Sequence, residues 1–166
     1  MKQLLLLFTL LVVTIVVAAG LQKGSFRFFT NSLSQQTKPE ENKMKIGEKT
    51  LTVEIADSAQ EHEEGLSGRN SLNKDHGMLF VMTKDSKPTF LMRGMKFPLD
   101  IIWINDGKII GFSENLEPPK GSTGDENLPL YGAPAPVDFV LEVNGGFVKK
   151  NKITPQTTLE LPGSVK

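Results

Sequence analysis

The triplet Asn105-Asp106-Gly107 separates two apolar runs, LDIIWI at residues 99–104 and KIIGF at residues 108–112. An Asp-Gly step accepts the positive φ of a tight reversal, so the pair is predicted to close as a β-hairpin. The apolar faces of that hairpin need other strands to cover them, and the flanking sequence supplies several. Leu51, Val53 and Ile55 alternate with Thr52 and Glu54, the period-two pattern of a half-buried strand. Residues 78–82, 89–92, 139–143 and 157–161 read as further strands, with a turn at Asn144-Gly145-Gly146. One short helix is expected, because Ser58 and Glu61 have the spacing of a capping box and Gly68 closes the segment. Residues 117–136 hold five of the ten prolines and read as one long irregular loop. The pattern predicts a mainly β, predominantly antiparallel domain over residues 44–166.

The other end of the chain has a different character. Residues 4–21, LLLLFTLLVVTIVVAAGL, run for eighteen positions without a charge. That length suffices to cross hydrocarbon as a helix. Two readings stay open for residues 1–21: an uncleaved transmembrane signal-anchor, or a signal peptide cut near Val17-Ala18-Ala19. Both place the domain outside the cytoplasm, either membrane-anchored or, after cleavage, secreted or periplasmic. Residues 22–43 form a linker whose second half, TNSLSQQTKPEENK, is too polar to order itself.

Charge and composition exclude several function classes. From Met44 onward 14 Lys and Arg face 17 Asp and Glu, so no basic stripe exists to neutralise phosphates. The only clustered bases, Lys149, Lys150 and Lys152, read as a solvated turn, and nucleic acid is not an expected partner. The chain has no cysteine, which removes thiol catalysis, disulfides, thiolate zinc sites and a lipobox. Neither a G-x-S-x-G elbow, an H-E-x-x-H helix nor a phosphate-cradling G-x-x-x-x-G-K-[ST] loop occurs.

Four motif-like segments stand out: EEGLSGR ending at Arg69, GMLFV from Gly77 to Val81, FLMRGMKFPLDIIWI from Phe90 to Ile104, and VLEVNGG from Val140 to Gly146. Together they resemble the bacterial and archaeal domain-of-unknown-function family 192. That family usually shows Phe-Trp-Met-Lys-Asn-Thr followed by Pro-Leu-Asp. Here Met92, Pro98, Leu99 and Asp100 match, and Arg93 keeps the positive charge. Leu91 replaces the usual Trp, and Gly94-Met95 replaces Asn-Thr, so a ligand role for those two side chains does not carry over. The resemblance, over residues 51–161, implies a compact antiparallel β-sandwich or rolled barrel with little helix. It implies no reaction.

Arg69, Arg93, Asp100, Glu114 and Glu142 are the charged residues within motif-like context. Were they to converge, they would form a pocket for a polar ligand, since a guanidinium recognises carboxylates and phosphates in bidentate fashion. The competing structural reading pairs Arg93 with Asp100, or Arg69 with Glu142, as ion pairs. The histidines, His62 and His76, read as exposed polar residues on a helix and a loop. Met78, Met82, Met92 and Met95 with His76 offer soft ligands for Cu(I), against the plainer reading of Met as core filler. Glu114 and Glu117 give a weak signal for paired-carboxylate chemistry.

The expected function is a membrane-tethered extracytoplasmic module that binds a polar ligand or a protein partner, without a cofactor and without catalysis. Arg69, Arg93, Asp100 and Glu114 are the expected ligand-binding residues, with the loop at residues 117–136 at the mouth. The alternatives are an envelope-polymer hydrolase or lyase using Asp100 or Glu114, and a Cu(I) or other soft-metal site built from methionines.

Overall fold

The computed structural model describes residues 42–121 and 124–165. The apolar segment at residues 4–21 and the linker up to residue 41 lie outside the described residues. Among those described, no helix is long and apolar enough to cross a membrane.

Among the described residues nine strands form in chain order: β1 (Lys43–Ile46), β2 (Lys49–Ala56), β3 (His76–Ser86), β4 (Thr89–Phe90), β5 (Leu99–Asn105), β6 (Lys108–Leu116), β7 (Tyr131–Gly132), β8 (Val137–Asn144) and β9 (Leu159–Glu160). Seven make one curled, half-barrel sheet in the order β6-β5-β8-β3-β2-β1-β9, and β4 pairs with β7 in a two-stranded ribbon. The mainly β prediction therefore holds, as a curled sheet with few helices. The hairpin predicted at Asn105-Asp106-Gly107 joins β5 to β6, with Asp106 at φ 49° and Gly107 at φ 65°.

One pairing departs from the antiparallel expectation. Strands β2 and β3 run parallel, with Val53 opposite Gly77 and Ile55 opposite Leu79. A parallel neighbour needs a crossover connection. Residues 57–75 supply it, opening with helix α1 (Ala59–Glu64). The capping box forms as predicted: Glu61 N–H donates to Ser58 Oγ at 3.3 Å, and Ser58 N–H donates to Glu61 Oε2 at 3.0 Å. The Ser58 hydroxyl, donating to Glu61 Oε2 at 2.7 Å, together with the Ser58 and Asp57 N–H groups, holds the Glu61 carboxyl below its usual range. A second helix, α2 (Phe147–Lys150), stands where the sequence suggests only a turn, because the two glycines deliver the chain into a helical turn that buries Phe147 and Val148.

Both faces of the sheet are buried, which explains why β5 is buried from Leu99 to Ile104 and mostly apolar there instead of alternating. Ile102, Ile104, Leu141, Leu79 and Val53 face one core, completed by β1 and α2. Ile101, Trp103, Val140, Phe80 and Met78 face the other, covered by the crossover and by residues 90–98. This second face positions the candidate site.

Candidate functional site

On the second face, side chains line up in rows across neighbouring strands. Register places Trp103, Val140 and Phe80 in one row, and Ile101, Glu142 and Met78 in the next. Phe80 stacks edge-on against Phe90 at 5.1 Å, and Phe90 in turn meets Trp103 at 5.8 Å. His62, at the end of α1, packs its ring 5.8 Å from Phe80 and sets Nε2 3.0 Å from the Ala56 carbonyl. The half-buried His62 thus anchors α1 to the sheet, a structural task that the exposed-helix reading did not foresee.

Between α1, the end of β3 and residues 88–95 opens a cleft of about 260 Å³. Its walls include Phe80, Phe90, Met82 and Met95. Arg93, Glu63 and Glu64 line it as well, and Glu142 reaches it from the sheet. Glu142 is only 7% exposed, and among the described residues no hydrogen-bond donor or cation engages its carboxyl. Burial pushes that carboxyl up to about 8, because desolvation penalises the charged form.

Arg93 is occupied. It donates to Asp125 Oδ2 at 3.1 Å and stands 3.9 Å from Glu63 Oε1, which ties the segment after β6 to the cleft. The backbone beside it explains a departure in sequence. Gly94 has φ 66°, a conformation for which Gly and Asn are the natural residues, so Gly in place of the family's usual Asn preserves the chain path. A Cβ there would also crowd Ser67 Oγ.

The remaining expected site residues are dispersed. Arg69 lies in a groove adjoining the cleft, which also includes Arg93, and makes a bidentate pair with Glu54 at 2.5 and 2.8 Å. That bond depresses the Glu54 carboxyl. Neither ion pair expected from the sequence, Arg93 with Asp100 or Arg69 with Glu142, forms. Asp100 faces the opposite core. It is fully buried and accepts three backbone N–H bonds, from Asn115 at 2.7 Å, Gly146 at 2.9 Å and Val148 at 2.8 Å. Asp100 therefore caps α2 and pins the irregular turn of β6 at Asn115, whose φ is 49°. Glu114 is exposed on β6 at the sheet edge, outside the cleft. Arg69 and Arg93 share a groove; Asp100 and Glu114 join neither.

Met78 and Met92 are buried core residues, whereas Met82 and Met95 line the cleft. Among the described residues no group of three or more His, Asp or Glu is placed to hold a metal ion. His76 keeps Nδ1 buried without a hydrogen-bond partner. The residue that sequence reasoning undervalued is Glu142. Its signal is a single acid inside VLEV, at a position where strand alternation points into a core.

No curated protein matches the chain. Solved structures that share the fold include the following two. A protein of unknown function from Novosphingobium aromaticivorans is 27% identical, covering 71% of this chain and 83% of its own, with a TM-score of 0.64. A protein from Sinorhizobium meliloti, described as a proposed transcription regulator, is 30% identical, covering 72% of this chain and 92% of its own, also with a TM-score of 0.64. The model of DUF192, described as an uncharacterized ACR, matches residues 41–161, and the chain belongs to that family.

Proposed function

We propose that the domain is a small-molecule binding module whose site is the cleft between α1 and residues 88–95, held outside the cytoplasm by the N-terminal apolar segment. One observation carries the reading: Glu142 is a buried carboxyl without a protein partner that reaches the cleft. A buried polar group left unpaired costs free energy, and an occupant that satisfies it recovers that cost. At about 260 Å³ the cleft lies just below the roughly 300–1,000 Å³ of drug-sized sites, so the occupant is small. Its mixture of aromatic walls and few polar groups is the usual composition of such sites.

The enzymatic alternative finds less support. Asp100 has its carboxylate committed to three backbone donors, and Glu114 stands exposed on β6 at the sheet edge, outside the cleft.

Binding is tested by thermal-shift measurements on the full chain in a neutral detergent, against amines, carboxylic acids, nucleotides, envelope saccharides and Cu(I). A saturable rise in Tm that disappears in Glu142→Leu is the expected result, by mass-action stabilisation of the folded state. A rise that survives Glu142→Leu places the site elsewhere. Export is tested separately, by protease digestion of the domain from the outer side of intact cells.

A further inference from the structure

We propose that the cleft takes an alkylammonium group, bound by the Glu142 carboxylate and by the half-buried Phe90 ring in its wall. The inference rests on the binding reading above and names the ligand class for the same site.

Three features favour a cation. The ionisable groups lining the cleft are unbalanced, with Glu63 and Glu64 against Arg93 and Glu142 as a third carboxyl that an incoming cation can ionise. Arg93 is already neutralised by Asp125 and Glu63, so it offers little to an incoming anion. Aromatic faces attract desolvated cations through the ring quadrupole, most strongly within about 6 Å of the ring centre. The occupant also needs an apolar stem, because Met82, Met95 and Leu66 complete the walls.

Binding is coupled to a proton. With its pKa near 8, Glu142 is mostly protonated in the empty cleft at neutral pH. An ammonium group beside it favours the charged form, so the proton leaves as the cation enters. The groups that surround Glu142 are His62, Glu63 and Glu64 from α1, Arg93 from the segment after β4, and His76 and the Glu54–Arg69 pair from the same sheet face. Burial raises the Glu142 carboxyl, whereas the hydrogen bond from Arg69 lowers that of Glu54. Cation affinity therefore rises by about tenfold per pH unit below 8 and levels off above it. An anion or a hydrogen-bond acceptor, which needs the protonated acid, gives the opposite slope.

The test uses the full chain in neutral detergent, labelled at the methionine methyls. Met82 and Met95 report the cleft, and Met44, in the opposite core, is the control. The probes are n-butylammonium, n-butanol and n-butyrate, one shape in three charge states. The expected result is saturable movement of the Met82 and Met95 signals by the ammonium alone. Its affinity should rise at least tenfold from pH 6 to pH 8 and fall at least tenfold in Glu142→Gln, which is isosteric with the neutral acid. Arg93→Ala should tighten it a few-fold. Capped lysine amide, run beside butylammonium, separates a lysine side chain of a polypeptide from a free amine. Movement by butyrate or butanol without the ammonium overturns the ligand class and leaves the binding reading standing. Equal ammonium binding in Glu142→Gln overturns the assignment of the carboxylate. No movement with any probe overturns both readings.

Discussion

Asp100 and Glu142 are buried carboxyl residues on adjacent strands of one sheet, one register step apart, facing opposite cores. The first is surrounded by donors: three backbone N–H groups converge on its two oxygens. The second has none among the described residues and opens into a cleft. The same chemical group is thus used in two ways. Where the chain folds its own donors around an acid, the acid is a structural element that fixes α2 and the turn of β6. Where the chain leaves an acid unsatisfied at the bottom of a cleft, the cost of burial is carried by the folded protein and is available to a ligand.

The comparison breaks first at Asp100. Replacing it with Ala leaves the buried Val148 N–H and the part-buried Asn115 and Gly146 N–H groups without their acceptor, at about 1–3 kcal/mol for the first and less for each of the others, so a loss of about 3–5 kcal/mol is expected in urea unfolding. Replacement of Glu142 should act in the other direction. Its folded-state value of about 8 stands above the ordinary 4.5, so the folded protein holds a proton that the unfolded chain releases. That contribution is complete below pH 4.5 and is lost as pH rises towards 8. Glu142→Gln should remove this slope and be more stable than the parent at pH 9, by on the order of 3–5 kcal/mol. Parallel melts of the two proteins from pH 4 to pH 9 measure it, and a pH-independent difference would refute the burial argument. The smallest effect belongs to Arg69→Ala. The Arg69–Glu54 pair is bidentate but side-chain exposure is 36% and 47%, so solvent screening limits the loss to about 0.5–1 kcal/mol, shrinking further in high salt.

Much of the fold is legible along the chain. The Asp-Gly hairpin, the alternation at Leu51, Val53 and Ile55, and the Ser58–Glu61 box are local signals, and each forms where its spacing puts it. The elements missed are those without a local signature. Strand β7, two residues long inside the predicted loop, exists because it meets β4, with Tyr131 opposite Phe90, while β4 itself forms within the strand expected at residues 89–92. Strand β1 is short and flanked by polar chain, and α2 is held by a carboxyl some 48 positions away. The site was less legible still. Arg93 was singled out and does line the cleft, but Asp100 and Glu114 share its motif context without sharing its location.

By itself the sequence determined that residues 44–166 form a β domain with hairpin and capped helix in stated places, and that cysteine chemistry is unavailable to it. Period and turn chemistry are properties of neighbours along the chain, so they are readable there. Only the tertiary structure decided which buried acid is satisfied and which is left open. That depends on donors brought together from Asn115, Gly146 and Val148 on one face of the sheet, and on a cleft assembled from α1, β3 and residues 88–95 on the other. Solvation and hydrogen-bond partnership belong to a place in space, and two glutamates or aspartates with similar neighbours in sequence can occupy opposite environments.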